Sequence, residues 1–323
     1  MAVITVGTSG ADYTTIAAAL VAATASDTIR LITNISENVS LNKNIAGIES
    51  DSPTSRRTWS NSGSSDILSI DSGLNQACLI KDLILSSNSA SSGLIYQGTN
   101  GASTAITYRN VKFTHSGTAS GHYTYNSNGN VAGMLTFNKC EFVGNANSNG
   151  AIACAVATNT GCVTISNCLF YGFTRSDSSG VLAFTQSTSN LAVNCYCSTF
   201  YNNDTAVNVY CRGVHTDNAY IGNTDDVLLN GSSTINDFTY CGFGEQATGG
   251  TGCQFSLTAS NEFANAGSND FHLKSGATCK DNGTTVASVA DDFDGVSRPQ
   301  GSAYDIGAYE YRSAGRNMGF IIG

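Results

Sequence analysis

Three acidic residues near the middle of the chain are of the type that cleaves glycosidic bonds. Asp225 and Asp226 end the segment Asn223-Thr-Asp-Asp226, and Asp204 lies 21 residues before Asp225. An inverting hydrolase holds two carboxyl groups about 6.5–9.5 Å apart, and one coil of a repeating fold would bring these acids together. His215 is the nearest histidine, and no second Asp motif stands at the spacing of a coil. We therefore interpret these acids as solvated turn residues and predict no catalytic residue.

A second acidic segment, Asp291-Asp-Phe-Asp-Gly295, has the density of acids expected of a calcium loop. Carboxylate oxygens at alternate positions suit Ca²⁺, a hard cation that prefers oxygen ligands. No glutamate follows at the distance that closes such a loop. The interpretation that we favour is a capped turn before Arg298-Pro299, and no metal or cofactor is predicted.

Histidines and basic residues are dispersed along the chain. A lyase that acts on an acidic sugar needs Lys or Arg to abstract a proton and acids that hold calcium against the sugar. No such cluster recurs at the spacing of a coil, and the histidines are interpreted as solvated or locally hydrogen-bonded. These residues are His115, His122, His215 and His272, with Arg109, Lys112, Lys139, Arg175 and Arg212 as the bases of the central region.

The 11 cysteines are an odd number, so they cannot all pair within one chain. Cys140, Cys168 and Cys241 occupy one slot of a repeating motif, where a free cysteine behaves as a small buried hydrophobe. We predict mostly unpaired core thiols, which indicates folding in a reducing compartment. Cys195 and Cys197 form a C-x-C pair, but no nearby histidine or second pair supports a metal site.

A repeating motif positions all of these residues. A small residue stands two positions before a large apolar one, as in Cys140-Glu-Phe142 and Cys168-Leu-Phe170. Short segments of alternating apolar and polar residues precede the motif, which is the pattern of β-strands. A period of about 20 to 30 residues is typical of a solenoid. The column of large residues is Leu85, Phe113, Phe142, Phe170, Phe200, Ile221 and Phe243, where the Phe200 copy has one extra residue, and Asn110, Asn167 and Asn218 share the slot before the small residue.

The pattern predicts an all-β chain folded as a parallel β-helix, because units of about three short strands bury a core only by stacking. Ten or so coils would make a rod roughly 50 Å long at the spacing of paired strands. Residues 1–50 are predicted to form an N-terminal cap and first coil, with a helix over Tyr13–Ala23 capped by Thr14 or Thr15. Residues 51–263 are predicted to form the body, where 51–65 with Trp59 is expected to be a polar loop or an edge excursion, and 264–323 to form a C-terminal cap and tail.

The composition restricts the classes of partner. Only 12% of the 323 residues are charged, against about a quarter in ordinary proteins, and the net charge is −9. An acidic chain without a basic run disfavours nucleic acid and anionic membranes as partners. No stretch approaches the roughly 18 apolar residues of a membrane span, and Met1 is followed by no secretory signal pattern.

The two ends of the chain resemble a known superfamily. The opening Gly10-Ala-Asp-Tyr-Thr-Thr-Ile-Ala-Ala-Ala-Leu20, followed by Asp27-Thr-Ile-Arg-Leu31, is similar to the start of pectate-lyase-like right-handed parallel β-helix proteins. The closing Asp294-Gly-Val-Ser-Arg-Pro299 and Asp305-Ile-Gly-Ala-Tyr-Glu-Tyr311 resemble the final motif of its choice-of-anchor domains. The resemblance implies a right-handed coil. That superfamily includes polysaccharide lyases, polygalacturonases, adhesins and phage tailspikes, so the fold does not choose the function.

Three functions are compatible with these observations. The one that we favour is a non-enzymatic structural protein on the virion surface of a bacteriophage, made in the host cytoplasm without a signal peptide. The resemblance implies a homotrimer, with other capsid or tail proteins as partners and host-surface polysaccharide as a further ligand. The alternatives are a tailspike depolymerase or polysaccharide lyase or hydrolase, and a bacterial surface adhesin. The apolar tail Met318–Gly323 is expected to dock on a partner or on the body of the protein.

Overall fold

The chain folds as a right-handed parallel β-helix, which confirms the predicted all-β solenoid. A short helix covers one end, and the C-terminal residues pack against one side of the coils. The computed structural model describes residues 1–61, 63, 65–71, 74–89, 93–97, 105–117, 122–127, 134–154, 162–176, 180–184, 192–209, 213–229, 237–246 and 248–313.

The described strands are short, because each spans only one side of a coil. They are β1 (Val3–Val6), β2 (Thr28–Leu31), β3 (Ile35–Ser36), β4 (Val39–Leu41), β5 (Gly47–Ser50), β6 (Arg57–Asn61), β7 (Leu68–Ile70), β8 (Cys78–Lys81), β9 (Leu83–Ser87), β10 (Ile95–Gln97), β11 (Ile106–Arg109), β12 (Lys112–His115), β13 (His122–Ser127), β14 (Met134–Asn138), β15 (Glu141–Val143), β16 (Ser148–Cys154), β17 (Cys162–Ser166), β18 (Leu169–Tyr171), β19 (Leu182–Phe184), β20 (Ala192–Tyr196), β21 (Thr199–Tyr201), β22 (Thr205–Val209), β23 (Gly213–Thr216), β24 (Ala219–Tyr220), β25 (Asp225–Leu229), β26 (Phe238–Thr239), β27 (Gly242–Phe243), β28 (Phe263–Asn265) and β29 (Asp270–Leu273).

Three parallel sheets run along the β-helix. Sheet A has the order β1-β2-β5-β8-β11-β14-β17-β20-β23-β26, sheet B the order β27-β24-β21-β18-β15-β12-β9-β6-β3, and sheet C the order β25-β22-β19-β16-β13-β10-β7-β4. Only β28 and β29 pair antiparallel among the described strands. The sheets place equivalent residues of successive coils about 4.8 Å apart, so each column of the repeat becomes a stack.

Aromatic rings stack along the interior of sheet B, as the repeat predicts. Phe142 and Phe170 have centroids 4.7 Å apart, and Phe170 and Phe200 lie 4.5 Å apart. The next ring is Tyr220, at 4.8 Å from Phe200, so the assignment of Ile221 to this column is wrong. Every motif has the same length in the structure, and the Phe200 copy has no extra residue.

A residue with left-handed backbone begins each motif from the Leu85 copy to the Phe243 copy, at the turn from sheet A to sheet B. Its φ angle lies between 47° and 59°, a region that Asn and Asp tolerate better than most residues. Asn110 and Asn167 occupy this slot as predicted, but Asn218 does not. The residues of the slot are Asp82, Asn110, Lys139, Asn167, Cys197, Asp217 and Tyr240.

Asn218 instead occupies the small-residue slot and points inward. Its amide Nδ2 donates to the carbonyl of Cys195 at 2.8 Å, and its Oδ1 accepts from the Ser198 N–H at 2.9 Å. Stacked amides do occur, but at the turn from sheet B to sheet C, where Asn203 Nδ2 donates to Asn223 Oδ1 at 2.9 Å. These side chains satisfy backbone groups that the turns leave unpaired.

The N-terminal helix α1 (Ile16–Ala22) covers the first coil, as predicted. Its N-cap is Thr15, whose hydroxyl accepts from the Ala18 N–H at 3.2 Å. Ile16 and Leu20 are buried in the main core, which closes the open end of the solenoid. In the described part of the chain, no helix is both long and apolar enough to span a membrane.

The segment expected to be a polar loop around Trp59 contains a strand of sheet B. Trp59 is completely buried in β6, in register with Ile35 and Leu85, and its indole N–H donates to the Glu37 carbonyl at 2.9 Å. The prediction of a loop was wrong. Pro53 and the arginines of this segment suggested a loop, although Arg57–Asn61 has the alternating pattern of a strand. The first three positions of the large-residue column are therefore Ile35, Trp59 and Leu85.

The C-terminal residues close the last coil and then run back along the outside of sheet B. Gln254 pairs with β27, and the Phe255 ring stacks on Phe243 at 6.0 Å. We call residues 258–313 the strap; it contains the helix α2 (Ala259–Glu262) and the pair β28 and β29. The Ala308 N–H donates to the hydroxyl of Thr199 at 3.0 Å, which fixes the strap to an outward position of β21. The tail Met318–Gly323 lies outside the described residues.

Candidate functional site

Titratable side chains of the described residues concentrate where the strap meets sheet B. The outward column of sheet B runs from Lys112 and Glu141 to Leu169, Thr199 and Ala219. The last three are buried by the strap, whereas Lys112 and Glu141 are partly exposed. The change from charged, partly exposed residues to uncharged, buried ones along this column marks the edge of the strap, and we call this edge the junction.

Glu141 joins three coils at the junction. Its Oε1 accepts from Lys112 Nζ at 2.8 Å and from the hydroxyl of Tyr171. Burial, together with the negative charge of Glu141, raises the pKa of Tyr171 well above its ordinary value. Tyr171 is thus a hydrogen-bond donor throughout the neutral range, and the Glu141 side chain lies between a cation and a phenol.

His272 lies on the strap side of the junction between two carboxylates. Its Nδ1 is 2.6 Å from Asp270 Oδ1, and its Nε2 is 3.0 Å from Asp294 Oδ2. The hydrogen bond to Asp294, with a further one to Asp270, raises the pKa of His272 to about 9, although burial opposes the shift. An imidazolium with both nitrogens donating cannot accept a proton, so His272 in this state can act as an acid or an ion-pair partner but not as a general base.

The Asp291–Gly295 segment forms a turn whose acids contact protein donors. Asp291 pairs with Lys139 at 2.7 Å, and Asp294 pairs with His272. Asp292 is buried, and its two oxygens accept from the N–H groups of Val296 at 2.8 Å and Glu310 at 2.9 Å. The arrangement is that of a capped turn rather than an open ring of oxygen ligands. Within the described ranges, no three His, Cys, Asp or Glu side chains are grouped to hold a metal ion.

A buried ion pair holds the far end of the strap. Arg298 and Glu310 are 2.8 Å apart, and both side chains have zero exposure. Arg298 also donates to the Gly307 carbonyl at 2.9 Å and to Asn167 Oδ1 at 3.3 Å, which links the strap to a turn of the β-helix. A charge removed from water needs several such partners, and the guanidinium geometry provides them.

The candidate hydrolase acids are neighbours in the fold, but they differ in burial. The Asp225 N–H donates to the Asp204 carbonyl at 2.7 Å, so the predicted adjacency across one coil is correct. Asp225 is exposed, whereas Asp226 is completely buried and accepts from Asn223 Nδ2 at 3.1 Å and the Glu245 N–H at 2.8 Å. Burial raises the pKa of Asp226 to about 6. Asp226 thus ends the amide stack, and its prediction as a solvated turn residue is wrong because the side chain is buried.

The C-x-C pair and the other histidines lie in separate places. Cys195 belongs to the main core, whereas Cys197 packs under the strap against Val286 and Val289, so the two thiols cannot bind one metal ion. His215 is buried and stacks on Phe238 at 4.3 Å. His115 is buried in β12 and His122 is half-buried in β13.

Three further basic residues complete the predictions. Arg109 is exposed on β11, and Arg175 donates to the Asn149 side chain. Arg212 lies outside the described residues. The sequence contained Lys139 and His272 as isolated residues, and no local spacing signalled that the fold would bring them close to the acids of the Asp291–Gly295 segment.

Comparisons with known proteins give a likeness in structure but none in sequence. No family model matches the chain, and no curated protein matches its sequence. A solved structure of pectate lyase Pel9A matches with a TM-score of 0.45 and 11% sequence identity, over 97% of each chain.

Proposed function

We propose that this chain is a non-enzymatic structural protein of a bacteriophage, a β-helical decoration, spike or fibre component on the particle surface. The observation that carries the proposal is that the few charged side chains form ion pairs within the fold. Arg30, Glu49 and Lys81 pair across three successive strands of sheet A, and Lys139 pairs with Asp291 of the strap. These pairs connect coils to one another or to the strap, so they serve cohesion of the rod.

The outer face of sheet A has the character of a contact surface. Thr107, Thr136 and Thr164 are in register on β11, β14 and β17 and form an uncharged polar column. Met134 is 56% exposed on the same face, and Val214 on β23 is 47% exposed. We propose that this uncharged column, and not the charged column of Arg30, Glu49 and Lys81 on the same face, packs against a second copy of the chain in a homotrimer, because uncharged polar and apolar groups can be buried at less cost than ions.

Labelling of particles tests the virion role. Antibody against this chain, with gold label, would be applied to particles released from the organism that carries the gene and imaged by electron microscopy. Regular label over capsid or tail supports the proposal. Bare particles, with the protein free in the medium, would refute it and favour the enzyme.

Light scattering on the purified protein tests the trimer. Val214→Lys places a charge on sheet A, and we expect it to lower the trimer fraction. Leu228→Lys is a matched control, because Leu228 is a 37% exposed aliphatic residue on β25 of sheet C. A clean monomer of the unmodified chain at micromolar concentration would contradict the trimer, and equal loss in both variants would contradict the choice of face.

A polysaccharide lyase or hydrolase is the second candidate, and the junction is the observation that favours it. Lys112 and Glu141 on the outer face of sheet B, with His272 on the strap, provide a cation, a carboxylate and an acid. Acidic polysaccharides would be incubated with the protein, followed by ultraviolet absorbance of unsaturated ends for a lyase and by reducing ends for a hydrolase. Activity that Glu141→Gln abolishes, while Asp225→Asn retains it, would place an active site at the junction.

A further inference from the structure

Two thiols are neighbours where the chain closes the last coil. The Gln254 N–H donates to the Cys241 carbonyl at 2.8 Å, and the Phe243 N–H donates to the Gln254 carbonyl at 2.9 Å. Gly242 and Gln254 form a parallel bridge, so Cys241 and Cys253 stand in register one residue earlier. Paired strands place such Cα atoms about 4.8 Å apart, within the range of about 4.4–6.8 Å that a disulfide requires.

The two sulfur atoms also lie in the same corner of the coil. Cys253 Sγ donates to the Phe238 carbonyl at 3.3 Å, and Cys241 Sγ donates to the adjacent Thr239 carbonyl at 3.4 Å. Gly249 lies beside the Cys253 side chain, and a Cβ atom at this position would be only 3.0 Å from Cys253 Sγ. The side chains therefore approach each other from adjacent strands instead of pointing apart.

Cys253 differs chemically from the buried thiols. It is half-buried, and the neighbouring Cys241 thiol lowers its pKa to about 7. Burial raises the pKa of Cys78 to about 12 and that of Cys195 well above its ordinary value. Since the thiolate is the reactive form, Cys253 combines access, ionisation and an adjacent second thiol.

We propose that Cys241 and Cys253 form a redox site that closes to a disulfide when the protein meets a disulfide oxidant such as oxidised glutathione. The Cys253 thiolate attacks one sulfur of glutathione disulfide and releases one glutathione thiolate. Cys241 then loses its proton and attacks Cys253 Sγ, which expels the second glutathione. Two thiols are oxidised to one disulfide, and one glutathione disulfide is reduced to two thiols.

The bond would fasten the closing segment to the last coil. Residues 248–257 contribute Phe255, which stacks on Phe243 and covers the end of the aromatic column. A link between Cys241 and Cys253 keeps this cover in place after the protein leaves a reducing compartment. The inference goes beyond the proposed particle role and does not depend on it.

Peptide mapping on the full chain tests the redox site. The native protein would be incubated with oxidised glutathione, alkylated and digested with trypsin and a Glu-specific protease, which cuts at Glu245 between the two cysteines. We expect a linked pair of peptides that carry Cys241 and Cys253, and alkylation of the other described cysteines only after unfolding. The melting temperature should rise by several degrees on oxidation, and this rise should be absent in Cys253→Ser.

Two outcomes would overturn the inference. One is a stable glutathione adduct on Cys253 with Cys241 still free, because the second thiol then fails to reach it. The other is equal oxidation of the core cysteines in the folded protein. In Cys241→Ala, the alkylation rate of Cys253 should reach half its maximum at a higher pH than in the unmodified chain. An unchanged profile would also count against the pair.

Discussion

Replacing Phe170 by alanine tests the register of the whole solenoid. The side chain has zero exposure and lies in the middle of the aromatic column, 4.7 Å from Phe142 and 4.5 Å from Phe200. The near-parallel stack means that its removal leaves a gap that both neighbours face. A cavity at this position interrupts the contact between two coils, on which the stability of a solenoid depends.

The expected cost follows from burial and stacking. A phenylalanine buries about 150 Å² or more, which corresponds to about 4 kcal/mol at about 25 cal/mol per Å². Two stacked contacts each add roughly 0.5 kcal/mol or more beyond area. We therefore expect Phe170→Ala to lower the free energy of unfolding by about 4–5 kcal/mol, at the upper end of the usual range of about 3–5 kcal/mol.

Urea titration followed by circular dichroism measures this difference. The control is Thr136→Ala, an outward and half-exposed residue of sheet A, which should cost less than about 1 kcal/mol. The slope of the transition should stay the same in the two variants, so that the shift in midpoint reports stability. A loss below about 1 kcal/mol for Phe170→Ala would refute the stacked column, because no buried phenylalanine is removed so cheaply.

Three further predictions concern the strap. Arg298→Met leaves Glu310 buried without its partner and should lower the free energy of unfolding by about 3–5 kcal/mol. Limited proteolysis should then cut the strap earlier than in the unmodified chain, and an unchanged cleavage rate would contradict the buried pair. His272 contributes stability that is complete below its ordinary pKa of 6.5 and is lost as pH rises towards about 9; His272→Asn should flatten this part of the pH profile of thermal unfolding. Burial raises the pKa of Asp217 to about 7, so its charge disfavours the folded state increasingly from about pH 4 to pH 7. Asp217→Asn should be more stable than the unmodified chain at pH 8 but not at pH 4. An equal change in stability at the two pH values would contradict an effect of the Asp217 charge.

Much of the core could be predicted because its signal is local and repeated. The motif around Phe113, Phe142 and Phe170 has a fixed spacing, and each copy independently indicates the same column. The errors arose where a copy of the motif has an unusual residue type but keeps the usual number of residues. Ile221 was assigned to the column instead of Tyr220 because it is the more apolar residue, although Tyr220 has the constant distance from the turn. Trp59 was not assigned to the column because its neighbours in the sequence are polar. The left-handed residue at each turn is the feature that would have fixed the register.

The sequence by itself determined the all-β solenoid, most of the large-residue column and the presence of a helix in the N-terminal cap. These depend on contacts that recur at one period, so a single chain reveals them. The tertiary structure alone decided where the strap lies and which side chains form the junction. Lys139 reaches Asp291 across 152 positions, and Arg298 reaches Asn167 across 131. Such contacts occur once, between residues with no common spacing, and only the path of the folded chain brings them together.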